Sequence, residues 1–148
     1  MKTYFDHEKR DVYRESIAFC AWTGDLLNSI SAKAAAKDQL GRASTSIPLN
    51  IAERNGKFSA KDRARFLEIA RGSTLECAAA LDVLVARRLV APEQIENAKE
   101  NLARIMQMLM GMLRRFSDFL REEGGEYGIE HEQEHEQEQE HDYEAGER

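Results

Sequence analysis

The stretch Ser46–Ser73, SIPLNIAERNGKFSAKDRARFLEIARGS, decides the fold. Before its central NGKF the apolar residues recur at helical spacing, with Ile47 and Ile51 four apart; after it Phe66, Ile69, Ala70 and Ser73 continue the same period. Gly56 supplies a left-handed residue after the first run. Ser59, with Asp62 three residues on, comes close to a capping box for the second. The stretch reads as helix, short loop, helix. Pro48 is the complication, because inside a helix it removes one backbone donor and crowds the carbonyl of Ser44, costing about 3 kcal/mol in an ordinary interior. The period continues through Pro48, so a kinked helix is expected, with the hydroxyls of Ser44, Thr45 and Ser46 satisfying the freed carbonyl.

Working outward, the same spacing defines four helical patterns. The first runs from about Glu8 to Ala36, with Val12, Ser16, Phe19, Thr23, Leu26 and Ile30 on one stripe and Tyr13, Ile17, Cys20 and Leu27 on a second. Trp22 falls off the main stripe. The next pattern runs from Gln39, capped by Asp38, to Asn55, and its apolar face is Leu40, Ala43, Ile47 and Ile51. The third extends from the Ser59 cap to about Arg88 and buries Phe66, Ile69 or Ala70, Ser73, Cys77, Ala80 and Leu84. The last starts at Pro92, a favoured first position, and carries Ile95, Ala98, Leu102, Ile105, Leu109, Met112, Phe116 and Phe119 to about Leu120. Short connections make neighbours antiparallel. The expectation is an all-α, antiparallel up-down-up-down four-helix bundle over residues 1–121, elongated, with the first helix similar in length to the third and fourth.

Composition agrees. The chain has 148 residues, two prolines and two cysteines, and its net charge of −6 conceals two parts. From Glu122 onward twelve acids face a single base, Arg148, giving −11; the remaining fifteen acids and twenty bases give a body of +5. Residues 122–148, rich in Glu, Gln and His, lack the apolar surface to offset ordering entropy and read as a disordered acidic tail. Its His131, His135 and His141 fit no closed tetrahedral spacing, so no metal site is assigned. No apolar run approaches the roughly 20 residues of a membrane span. The N-terminus MKTYFDHEKRD has no hydrophobic signal core, which points to the cytoplasm. Cys20 and Cys77 have no CxxC or Cys/His partners and read as buried thiols.

Two sets of side chains are candidates for function. Arg42, Ser44, Asn50, Glu53, Arg71, Ser73 and Glu76 thread polar atoms along the second and third patterns. The bland reading is a semi-buried network that fixes helix register, with Arg71 and Glu76 each reaching another helix and Arg42 and Glu53 as their partners. A catalytic cluster is the sharper reading, but His7 is the only histidine of the body and no ExxH spacing occurs, so neither a catalytic residue nor a cofactor is assigned. The second set is cationic: Arg54, Lys57, Lys61, Arg63 and Arg65 gather around one loop and the start of the third helix. That patch suits RNA or DNA phosphates. A solvated charged surface is the alternative, since no aromatic stacking platform and no RNA-binding signature accompany the cations and Phe58 is the one aromatic of the loop.

The blocks "SIPLNIAE" and "RFLEIARGS", at this separation and together with "DVYRESIAF" upstream, carry a resemblance. From about Asp6 to Phe119 the chain resembles the four-helix proteins encoded in intervening sequences of bacterial 23S ribosomal RNA genes, historically labelled a ribosomal protein. Arg54 stands where that family usually has Gly. The resemblance implies a four-helix protomer that assembles into a homo-oligomeric ring, a pentamer. More distantly, the chain is similar to the accessory protein of diversity-generating retroelements, a basic pentameric ring that works beside a reverse transcriptase and binds nucleic acid. A non-enzymatic oligomer that engages nucleic acid or a ribonucleoprotein is therefore the leading expectation. A protein-interaction adaptor, using apolar surface around Trp22 or Met106, Met108, Met110 and Met112, is the rival.

Overall fold

The structure, a computed structural model, describes residues 2–30 and 35–124. The acidic segment beyond Gly124 and its three histidines lie outside the described residues. Among the described residues the chain is all-helical: a 3₁₀ turn at Asp6–Lys9 precedes α1 (Asp11–Asn28), α2 (Ala35–Asn55), α3 (Ala60–Ala86) and α4 (Pro92–Gly124), and no strand occurs. The described residues fall into two units, one ending at Leu113 and the other beginning at Arg114. The first unit holds the core; in the second, Phe119 and Leu120 are exposed.

The first apolar stripe is buried throughout: Val12, Ser16, Phe19, Thr23, Leu26 and Ile30 all lie in the core. Two boundaries differ from expectation. The first helix stops at Asn28, where the carbonyls of Leu26 and Leu27 receive the backbone N–H of Ser29, so it is 18 residues long, shorter than α3 (27) and α4 (33). Ala36 is a core residue of α2, not the end of α1. Since α2 begins at Ala35, Asp38 is not its cap but an acid in its first turn, where it complements the helix dipole.

In α2, Leu40, Ala43, Ile47 and Ile51 are buried as their spacing requires, and the helix is continuous through a buried Pro48. The helix also continues through Arg54. Position 54 therefore has no need of glycine's positive φ; among the described residues the only non-glycine with positive φ is Arg88, at 60°. Arg88 closes α3, with Leu89 N–H reaching the Leu84 carbonyl and Arg88 N–H that of Val85, the paired bonds of a Schellman ending. The predicted cap of α3 is present, since Ser59 Oγ accepts from Asp62 N–H at 3.1 Å. Along α3 the inner row is Leu67, Ala70, Ser73, Thr74, Cys77, Ala80, Leu81 and Leu84; Ile69 turns outward instead, and Phe66 is only half-buried. The α4 stripe is buried from Ile95 to Met112, becomes half-buried at Phe116 and is exposed at Phe119.

Cross-helix contacts order the rods. Arg10 meets Asn55, Cys20 meets Ser44 and Ile30 meets Lys37, so partners fall in opposite order along α1 and α2. Ser46 of α2 meets Ser73 of α3. Lys99 of α4 reaches Asp82 of α3 at 2.6 Å, and Arg104 reaches Glu15 of α1 at 3.7 Å. Both pairs are partly exposed, so they set neighbours more than they stabilise them.

Candidate nucleic-acid interface

The polar thread of α2 and α3 separates into two parts. Its buried part is small and complete. Ser73 Oγ donates to Ser46 Oγ across the helix pair at 2.8 Å, and Asn50 Nδ2 donates to the same oxygen at 2.9 Å and to the Ser46 carbonyl at 2.8 Å. Buried Ser44 donates its hydroxyl to the Gly41 carbonyl, as does Thr45. The carbonyl of Ser44, whose usual donor would be the missing N–H of Pro48, receives the thiol of Cys20 from α1 at 3.1 Å. The local hydroxyls expected for that task are engaged elsewhere; a cysteine 24 positions away does it. Burial pushes the Cys20 thiol above its ordinary range, which keeps its proton available for donation. Deeper in, the Cys77 thiol is pushed up to about 12, by burial first and then by Cys20 and Glu76.

The charged members of the thread take no part in this seam. Arg71 pairs with Glu68 on its own helix at 3.0 Å rather than reaching another one. Glu53 pairs with Lys57 one turn on at 3.6 Å. Arg42 and Glu76 are exposed. The register-fixing group is thus Ser44, Ser46, Asn50 and Ser73 with Cys20, and sequence reading misses Ser46 and Cys20. Nothing in the spacing of α1 signals that Cys20 faces residue 44, because that pairing exists only once the two helices are side by side.

At the far end of α2 the cations gather as the sequence places them. Asn55 Oδ1 accepts from Arg54 Nη1 at 3.0 Å and from Arg10 Nε at 3.1 Å, which ties the chain's N-terminal segment to this end. Arg63 Nε donates to the Lys57 carbonyl at 2.7 Å, fixing the loop on the first turn of α3. Lys57 and Arg65 lie over the ring of Phe66, 5.0 and 5.2 Å from its centroid. Lys61, Arg63 and Arg65 are exposed, and no salt bridge among the described residues engages them. Arg10 is the cation that sequence reading leaves out; it lies 44 positions upstream of Arg54, and only the fold joins the two.

The arrangement offers fixed positive charge. Among the described residues, no three His, Cys, Asp or Glu side chains converge as metal ligands. An open groove of about 580 Å³ between α1 and α4 has mixed charge, with Asp11, Arg14, Glu15 and Arg104 on its walls. No helix of the described residues is long and apolar enough to cross a membrane. Trp22 stacks on Phe19 with ring centroids 5.9 Å apart, and Met112 is buried with Met106, Met108 and Met110 half-buried, so these residues are not the large exposed patch expected of them.

Fold and site together define a helical module with a cationic helix–loop–helix end. By sequence, the chain belongs to the 23S rRNA-intervening sequence protein family, which it matches over residues 8–111. It also resembles a crystal structure from Bacteroides thetaiotaomicron VPI-5482, a protein of unknown function from the S23 ribosomal protein family. The identity is 24%, the TM-score is 0.65, and the match covers 69% of this chain and 97% of that one. That likeness speaks for the fold. Among curated proteins none matches.

Proposed function

We propose that this chain is a non-enzymatic, homo-oligomeric bundle that engages RNA or DNA, alone or within a ribonucleoprotein, through Arg54, Lys57, Lys61, Arg63 and Arg65. The observation that carries the reading is the exposed Lys61, Arg63 and Arg65 on the opening turns of α3, with no acidic partner in a salt bridge among the described residues. An up-down-up-down order of the four helices, an independent acidic tail over residues 122–148, a cytoplasmic setting and a pentameric ring complete the proposal. A ring repeats the cationic end in every protomer, so weak phosphate contacts become multivalent. The test is binding of the full chain to labelled RNA and DNA across a salt series. Removing one phosphate-binding cation lowers the salt slope by about 0.7 for a single strand, so replacing Lys61, Arg63 and Arg65 by Ala lowers it by about 2. Absence of salt-dependent binding to either polymer refutes the reading.

One observation favours a second reading, a protein-interaction adaptor with no nucleic-acid role. Ile17, Leu49, Ile69, Leu75 and Val83 are exposed large apolar residues on three helices. A self-associating ring uses such residues equally well, and sedimentation of the full chain separates the two. A monomer at micromolar concentration leaves them for another protein and removes the multivalence.

A further inference from the structure

Exposed aromatic rings accompany the cations, and they come from two distant parts of the chain. Phe58, in the loop between α2 and α3, is 102% exposed. Lys57 precedes it, and Arg63 anchors the same loop through the Lys57 carbonyl. Tyr4 and Phe5 are 73% and 66% exposed in the N-terminal segment, which Arg10 fastens to Asn55 at the same end of α2. That segment is held in shape. The Glu8 carboxylate accepts the backbone N–H groups of Tyr4, at 2.7 Å, and of Phe5, and these bonds hold its pKa below the ordinary carboxylate value. Phe5 stacks on His7, centroids 5.8 Å apart, and His7 meets the edge of Tyr13 at 4.8 Å. Lys2 lies 5.4 Å from the Tyr4 centroid.

Phosphate attraction alone does not distinguish duplex from single strand. An aromatic face beside the cations does, because a base can stack on it only when released from its pair. Phe58 is fully exposed, so its ring returns no burial stability in the protomer, and a polar side chain would serve an ordinary loop better. Resting on the nucleic-acid reading above, we infer that this end takes single-stranded nucleic acid, with Phe58 as a stacking platform, Tyr4 and Phe5 as a second, and the neighbouring cations on the backbone phosphates.

The experiment compares the full chain with Phe58→Ala, Phe58→Trp and a Tyr4→Ala/Phe5→Ala variant. The probes are fluorescein-labelled oligouridylate, an abasic strand of equal length and an RNA duplex of equal length. The native chain is expected to prefer oligouridylate. Phe58→Ala should weaken that binding about fivefold or more while leaving the abasic strand and the duplex unchanged. The Trp variant should restore it, and the Tyr4/Phe5 variant should weaken it in the same direction. Because Phe58 is fully exposed, a helical circular-dichroism spectrum identical to the native one is expected for its variants. Equal affinity for all three probes, or indifference of oligouridylate to Phe58→Ala, overturns the inference and leaves the phosphate reading standing. Lack of binding to every probe overturns both. Capture of an apolar peptide that Phe58→Ala abolishes, without oligouridylate binding, assigns the ring to a protein partner and overturns it too.

Discussion

Two neighbouring parts of α2 treat polar atoms in opposite ways. From Ser44 to Asn50 the hydroxyls, the amide and a proline-orphaned carbonyl are all satisfied inside the chain, with help from Cys20 of α1 and Ser73 of α3. One turn later full charges gather, Arg54 and Lys57 half-buried and Lys61, Arg63 and Arg65 exposed, with Asn55 as an organising acceptor. The difference follows from what each group loses on burial. A hydroxyl or carbonyl can enter a helix interface when one partner is found, whereas a guanidinium or ammonium needs a matched counter-charge to leave water. The seam is therefore a device for register, and the end is a device for meeting something outside.

That contrast can be attacked from its largest expected effect down. Cys77, buried and with its thiol pushed up to about 12, should be alkylated in the folded protein far more slowly than in the unfolded chain, because burial both withholds its thiolate and blocks access to it. Mass spectrometry after brief iodoacetamide exposure reads this directly. Its linkage has a definite sign. The native state binds that proton more tightly than the unfolded chain, so the contribution is fully present below about pH 9 and is lost as pH rises toward 12. Alkaline denaturation curves of the native chain and Cys77→Ala should diverge in that window.

Next comes the carbonyl of Ser44. Cys20→Ala should cost about 1–2 kcal/mol, because a buried acceptor is left without its partner. In a Pro48→Ala background residue 48 regains an N–H for that carbonyl, and the Cys20→Ala cost should shrink. Urea denaturation of the four chains gives the coupling, and strict additivity would break the account of the seam.

Ser73→Ala should cost about 1 kcal/mol by removing the bond to Ser46, with nucleic-acid binding unchanged. The smallest effect belongs to the other region. Replacing Lys61, Arg63 and Arg65 by Ala should move stability by only about 0.5 kcal/mol per site or less, even as it flattens the salt slope of binding. A thermal melt that collapses for this variant would mean that the cations hold the fold after all.

Much of this is legible in the sequence, and the failures are instructive. The first stripe of α1 and the stripe of α2 fall on buried core residues, because a 3.6-residue period on a half-buried helix leaves few alternatives; the second stripe of α1 does not, since Tyr13, Cys20 and Leu27 are half-buried and Ile17 is exposed. Spacing misplaces the end of α1 because the alanine-rich run Ala32–Ala36 favours helix as strongly as the residues before it. It also sends Arg71 and Glu76 across to other helices. Arg71 instead finds Glu68 three residues back, the partner its own helix supplies at no cost in chain ordering. The cationic cluster is visible as a local run, but Arg10, Tyr4 and Phe5 are not, since their place beside it depends on the N-terminal segment returning to Asn55.

The sequence by itself determined the four helices, the cap at Ser59, the core stripes and the existence of a cationic loop, because each arises from residues within one or two turns of one another. Tertiary structure alone decided which thiol satisfies the proline-orphaned carbonyl, which serine meets Ser46, and which exposed rings share an end with the arginines. Those outcomes join residues 24, 27 and 45 positions apart. No local spacing encodes them; they follow from the register in which packed side chains lock the helices together.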